Sequence, residues 1–387
     1  MKKYIYILFI LSTVGLTAQT ALYNKGNIRI HENGNLGFHT HFINESPFDE
    51  NKGLTGFYGP QQLVVSGTVV PLFFDTEIAV DNGLVLELGM GNANNTNFIL
   101  GDIITARNLS HIYYNFLENG FYTGEGDFTK INGHTALTNQ QNFIFPIGDS
   151  EQLRPLIINS QNINLFAQCA YFLENPNSPV SIPESFNTDQ LDRDLEFVSG
   201  LEFWRLEGNV PATISLNWNE RSDMAALTDD ATRIVPVGWS KTENQWVNLG
   251  AGANLGTLEQ GFVTSEAIIP DNYEIITLGV SKIPLEPLDT GLLSLENYFV
   301  SPNGDGINDS FFIPELLESP NNLVQIYDRY GLKVFEKSNY TDEFTGISNV
   351  DNFVITREDG LPVGVYFYII YAADLDLNYQ GFLYLAK

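Results

Sequence analysis

One cysteine in 387 residues, few cations and no catalytic signature: each shortage narrows what this chain can be. With Cys169 alone, no intramolecular disulfide can form. The residue lies in "NINLFAQCAYFLEN", an alternating stretch expected to put Ile163, Leu165, Ala167 and Cys169 on one face, so the thiol reads as buried and inert. Lysine and arginine total 19 against 47 acidic residues, a net charge of −28. Such a chain repels phosphate backbones and anionic lipid headgroups, which excludes nucleic acid as a partner and leaves divalent cations favoured. There is no G-x-S-x-G, no H-E-x-x-H, no phosphate loop and no Cys/His nucleophile arrangement, so the sequence reads as that of a non-enzyme. Charged residues make up only 17%, while Gly (33), Phe (27) and Tyr (18) are plentiful, a balance that favours strands and tight turns over helices.

Long apolar runs are also scarce. The one at the start, "MKKYIYILFILSTVGLTAQ", has two lysines, an apolar core from Tyr4 to Leu16 and small residues ending at Ala18. It reads as a secretory signal peptide over residues 1–18, its core too short to span a bilayer. No second run of spanning length follows, so the mature chain is expected to be exported and to contain no transmembrane segment. Its length implies two to four domains, each with its own interior.

Residues 19–150 contain short segments with period-two alternation, such as "NIRIH", "QQLVVSGTVV" and "GLVLELGM", broken by "ENG", "DNG" and "GNANN" turns. Turns at intervals of roughly 15 to 25 residues predict a parallel β-solenoid or a loosely repeated sandwich, although no strict period is visible. The texture changes at "FIFPIGDSEQLRPLIINS", residues 143–160. This stretch resembles a segment of type IX-exported surface proteins in which an "FPIGD" turn and an "RP" pair enter a sandwich module.

Longer strands fill residues 151–281, which hold all four tryptophans: Trp204, Trp218, Trp239 and Trp246. Aromatics at strand positions predict the interior of a β-sandwich rather than a carbohydrate platform, and an immunoglobulin-like sandwich is expected here. "KIPLEPLDTG" opens a linker over residues 282–293. In the last segment, residues 294–387, "LVQIYD" and "LKVFEK" read as a hairpin closed by "RYG". "VYFYIIY" is apolar on both faces, so it is expected to be a central strand, pairing with "GFLYLAK". The fold class is therefore all-β and multidomain, ending in a small antiparallel β-sandwich.

The order of motifs in this last segment resembles the gliding-motility-associated C-terminal domain, the type B sorting domain of type IX secretion. The matching residues are Ser301 to Asp309; Pro320, Ile326, Arg329 and Gly331; Asn339, Tyr340 and Gly346; and Leu361, Pro362, Gly364, Tyr366, Phe367 and Tyr368. Two tryptophans usual in the family are replaced, by Tyr330 in the hairpin and by Phe344 in "EFTG". The resemblance implies a compact β domain that delivers what precedes it across the outer membrane of a Gram-negative cell. It also implies two partners for residues 294–387, the type IX secretion machinery and a porin-like outer-membrane protein. It implies no chemistry.

Three sets of side chains are candidates for chemistry. His39 and His41 form an H-x-H pair expected on one strand face, opposite Leu36, Phe38 and Phe42, and facing solvent. Asp192 and Asp194 in "LDRDLE" read as a solvated edge. The "SPNGDGINDSF" loop, residues 301–311, resembles a calcium loop in its alternating oxygens and central glycine, but it lacks an acid at its first position and has Phe312 at its twelfth, which excludes an EF-hand. A weak, partly hydrated Ca²⁺ site would use Asn303, Asp305, Asn308 and Asp309. The competing reading is a structural turn, with Asx side chains bonding their own backbone and Gly304 and Gly306 at positive φ.

Taken together, the sequence predicts an exported cell-surface protein with a structural or adhesive passenger that binds a glycan, a surface or another protein. The alternative is a polysaccharide-acting enzyme on the solenoid region. A face holding two or three convergent carboxylates would favour the enzyme, and a smooth face of Asn, Thr and aromatics would favour binding.

Overall fold

The computed structural model describes residues 21–250, 253–283, 298–304, 306–350, 360–375 and 377–386. The predicted signal peptide lies outside the described residues, as does most of the predicted linker.

Nearly everything described is strand or turn, and the N-terminal region is a β-solenoid. Its first face is a seven-stranded parallel sheet: Ala21–Asn24, His41–Asn44, Leu63–Gly67, Leu84–Leu86, Ile103–Thr105, Ile131–Asn132 and Ile147–Gly148. A second face begins with Leu72–Phe73, Met90–Asn92, Tyr114–Leu117 and His134–Thr138, also parallel. The third holds Asn35–Phe38, Leu54–Gly59, Asp75–Val80, Asn95–Leu100 and Phe121–Thr123. First-face strands begin at residues 21, 41, 63, 84, 103, 131 and 147, so the coils advance by 20, 22, 21, 19, 28 and 16 residues. The solenoid is therefore real while its period is not fixed, because corner length varies and only the inward columns must match.

Those columns are made by parallel register, which stacks like on like. Phe38, Phe57, Ile78 and Phe98 form one buried column, the first two rings stacked at 4.9 Å. Thr55, Thr76 and Thr96 form another. At the corner after the first face, Asn24 Nδ2 donates to Asn44 Oδ1 at 2.7 Å and Asn44 Nδ2 to the Val69 carbonyl at 2.7 Å, so each buried amide supports the next coil.

The parallel coils end at Ile147–Gly148, where the texture of the sequence changes, but one of their sheets continues. Beyond His134–Thr138 the second face continues through antiparallel strands Ala167–Phe172, Phe203–Gly208, Tyr273–Ser281, Ile234–Ser240 and Gln245–Asn248, and with Leu195–Val198, which also pairs with Tyr273–Ser281, they give one ten-stranded sheet. Residue 150 thus marks a change of strand direction within a continuous sheet. A second, antiparallel sheet runs Gln140–Phe145, Leu156–Asn164, Ala212–Trp218, Gly261–Thr264 and Ala253–Gly256. Trp204, Trp218, Trp239 and Trp246 are all buried, as the strand pattern predicts. The predicted run from Ile163 to Cys169 is broken. Leu156–Asn164 ends within it, just past Ile163, and Ala167–Phe172 starts after a tight turn, leaving Ile163 and Leu165 exposed while Ala167 and Cys169 are buried. Burial pushes the Cys169 thiol well above its ordinary pKa.

The C-terminal region orders its strands Tyr298–Val300, Leu377–Leu385, Gly364–Ala372, Asn322–Tyr327 and Lys333–Ser338, the first pair parallel and the rest antiparallel. The predicted hairpin and central strand are both present. Among the described residues the second layer expected of a sandwich is made by irregular segments, with Phe311, Ile313, Leu316, Tyr340, Phe344 and Leu361 closing the core over Val324, Ile326, Tyr368 and Ile370. Gly364–Ala372 is apolar on both faces because its other face is also covered. Phe367 and Ile369 pack on Phe262 and Leu255 of the middle region, with ring centroids 5.6 Å apart for Phe262 and Phe367. Gly331, at φ 89°, permits that approach, since a Cβ there would lie 2.6 Å from the Phe262 ring.

Candidate functional site

The outward side chains of the solenoid's third face stand in rows set by its register. One row runs Gly37, Gly56, Glu77, Asn97 and Thr123, and a second runs Asn35, Leu54, Asp75, Asn95 and Phe121. Tyr58 pairs with Ala79, and Ile99 and Leu100 beyond them are exposed. The Tyr58 ring folds back over Gly56: a Cβ on Gly56 would lie 2.0 Å from both Cζ and Oη of the tyrosine and 2.1 Å from Cε2. Only glycine leaves room for a ring lying flat on the backbone, and Gly37 on the next strand extends that floor, its Cβ position 3.4 Å from Cε2. The phenol donates to Glu77 Oε2 at 2.5 Å, and the His39 ring stands 5.6 Å away. Burial and the Glu77 carboxylate push the Tyr58 phenol up to about 12.

Two acids share this face, both already engaged. Glu77 accepts from Tyr58, and Asp75 Oδ1 accepts from Asn94 Nδ2 at 2.7 Å and from the Asn95 N–H at 3.3 Å. The Thr123 hydroxyl lies 3.3 Å from Asn97 Oδ1 and 3.4 Å from Asn95 Oδ1. The result is an amphipathic surface of Asn, Thr, Tyr and aliphatic side chains on which the carboxylates serve as hydrogen-bond acceptors.

The two histidines do not share the single strand face expected of them. His39 sits in the corner after Asn35–Phe38 and His41 opens His41–Asn44 on another face, where its Nδ1 accepts the Val64 N–H at 3.1 Å. Among the described residues no group of three or more His, Cys, Asp or Glu is placed to hold a metal ion. Asp192 Oδ1 accepts the Arg193 N–H and Asp194 pairs loosely with Arg193, both at an exposed edge.

In the 301–311 loop, Asp309 organises the turn. Its Oδ1 accepts the Gly304 N–H and its Oδ2 the Gly306 N–H, each at 2.8 Å, and these bonds hold its carboxyl below the usual range. Gly304 and Gly306 both have φ of 82°, and Asn308 has φ of 56° while its carbonyl accepts the Ser301 N–H at 2.7 Å. Asp305 lies outside the described residues. Both Asp309 oxygens face backbone donors, which matches an Asx-type turn better than a ligand set presented to a cation.

Sequence reasoning missed the middle region's most buried polar cluster. Arg154, of the "RP" pair, is fully buried and its Nη2 donates to Glu202 Oε1 at 2.7 Å, Glu202 Oε2 at 2.8 Å, Ser222 Oγ at 2.9 Å and the Asn217 carbonyl at 3.1 Å. Tyr171 donates to Glu202 Oε2 at 2.6 Å, and the guanidinium carbon stands 5.8 Å from the Tyr171 ring centroid and 5.5 Å from that of Trp204. Asp149, of the "FPIGD" turn, joins through Arg221 at 2.9 Å. Buried on all sides, the cluster acts as a structural clamp where the solenoid passes into the antiparallel sheets. The "RP" pair alone does not signal it, because the partner carboxylate is 48 residues away.

The aromatic replacements in the C-terminal region keep their places. Phe344 is fully buried against Phe335, with centroids 5.1 Å apart, and Arg329 lies 4.7 Å from the Tyr330 ring centroid. The Tyr340 phenol donates to the Phe311 carbonyl at 2.5 Å, tying the opening loop to the segment that ends in Gly346. The family model of the CHU_C type IX secretion signal domain matches residues 293–385, which bears out the sorting-domain resemblance for this part of the chain. No curated protein and no solved structure shows significant similarity to the chain. A signal of this type supports export across the outer membrane to the cell surface or extracellular space, and it implies interaction with the secretion machinery. Among the described residues no helix is long and apolar enough to cross a membrane.

Proposed function

We propose that this protein is an adhesive or structural surface protein, whose passenger, residues 19–281, binds a ligand and performs no reaction. In this reading residues 294–387 engage the type IX machinery and a porin-like outer-membrane partner, and residues 1–18 direct the first export step. The match over residues 293–385 supports delivery to the outside. The reading of binding is supported by the solenoid's third face, where Asn97 and Thr123 lie in register with Glu77, Tyr58 folds back over Gly56 of the same row, and both carboxylates are already hydrogen-bonded. A flat, amphipathic, rigid sheet face suits an extended partner better than a small molecule, which needs a concave pocket.

A polysaccharide-acting enzyme is the second reading, and Asp75 and Glu77, two residues apart on one strand face, favour it. The mature chain, residues 19–387, separates the two when it is incubated with immobilised and soluble polysaccharides and with protein-coated surfaces. Retention on one of these with no rise in reducing ends or unsaturated products is expected. Product that accumulates with time and is lost in Asp75→Asn or Glu77→Gln would establish the enzyme instead.

A further inference from the structure

We infer that Tyr58 is the stacking platform of a subsite for a neutral saccharide, with Glu77, Asn97 and His39 as its polar rim. The inference rests on the passenger being a binder. The ring's inner face lies on Gly56 and is flanked by Gly37, and its hydroxyl is tethered to Glu77, so it can neither turn inward nor swing freely. A platform fixed before binding loses little side-chain entropy when a ligand arrives. The side chain is only partly buried, and the negative face of an aromatic ring attracts the C–H bonds of a pyranose. Ala79 on the neighbouring strand leaves a low floor beside it, and Ile99 and Leu100 continue the apolar strip, 51% and 44% exposed.

Hydroxyls at the edge of such a sugar would meet the Glu77 carboxylate, the Asn97 amide and the His39 imidazole. Neighbouring strands lie about 4.8 Å apart, so a chain running along the solenoid axis meets a new set of these rows at each coil. The charge of the ligand follows as well. Asp75 and Glu77 on this face, in a chain of net charge −28, repel uronates and sulfated sugars and admit neutral ones. Shielding the Gly56 backbone explains why a ring lies there. It does not explain the exposed apolar strip and the in-register amides beside that ring.

Affinity electrophoresis of the mature chain through gels containing a neutral β-glucan, a galactomannan or, for contrast, alginate tests this. Retardation is expected in a neutral polysaccharide and not in alginate. Tyr58→Ala should weaken it at least tenfold, Tyr58→Phe should retain most of it, and Gly56→Ala, which displaces the ring, should weaken it. If Tyr58→Ala fails to fold by thermal unfolding, Glu77→Gln and Asn97→Ala decide, each expected to reduce retardation severalfold. Unchanged retardation in Tyr58→Ala, or in both rim variants, would overturn the subsite. So would retardation only in alginate, or none in either neutral gel. In the last case, adhesion of the same chain to protein-coated surfaces would leave the binding function standing without a sugar ligand.

Discussion

Arg154 and Glu202, 48 residues apart in sequence, meet through one guanidinium nitrogen shared between both carboxylate oxygens at 2.7 and 2.8 Å, with 0% and 2% of their side chains exposed. The pair sits where the last solenoid coil hands its sheet to the antiparallel strands, and Trp204 Nε1 donates to the Arg154 carbonyl at 3.0 Å, closing the cluster from the other side. A buried ion pair need not add net stability, but losing one partner strands the other.

Glu202→Gln or Arg154→Met should therefore lower unfolding stability by about 3–5 kcal/mol, read from urea midpoints. The double change Arg154→Met with Glu202→Leu should recover part of the loss, because no uncompensated charge is left behind. Single variants no worse than a surface substitution would show that the cluster is not a clamp.

The seam between the C-terminal region and the rest of the chain should respond to pH. Burial pushes the half-buried Glu125 carboxyl up to about 7 and that of Asp328, which accepts the Tyr330 and Leu332 N–H groups at 2.9 Å, up to about 6. Burial first, and then each of these acids, raises the pKa of Tyr122, and Arg329 partly offsets the shifts of the two carboxyls. The folded state thus holds more protons than the unfolded chain between about pH 4 and 7. The cost of ionising these groups is absent at the acid end of that window and complete above it, so stability falls as pH rises. Glu125→Gln with Asp328→Asn should raise the melting temperature at pH 8 more than at pH 5. An equal shift at both values would contradict the assignment.

Calcium binding is expected to be absent or very weak. Asp309 already accepts two backbone N–H groups, and its neighbours in the loop serve the same turn. Titrating the mature chain with Ca²⁺ should give no heat, and EDTA should leave its melting temperature unchanged. A saturable heat lost in Asp309→Asn would restore the metal site of Asn303, Asp305, Asn308 and Asp309.

What could be read in advance depended on the range of the forces involved. Period-two alternation, the "RYG" hairpin and the doubly apolar strand Gly364–Ala372 are local patterns, and each was legible. The solenoid was legible as one of two alternatives, but its period was not, because a 28-residue step follows Ile103 where its predecessors are near 20. Leu165, 75% exposed at a tight turn, carried the apparent alternation past the end of its strand. Thr40 lies in a corner, not a strand, which parted His39 from His41. The Tyr58 platform depends on Gly37, Gly56 and Glu77 being neighbours, a fact of register between three strands that no single stretch of sequence contains.

The central claim is that residues 294–387 carry the passenger to the outside. In cells with a type IX system, the chain lacking those residues should be produced but protected from protease added to intact cells, while the full chain is digested. Digestion of the truncated chain in the same amount as the full one would contradict the account.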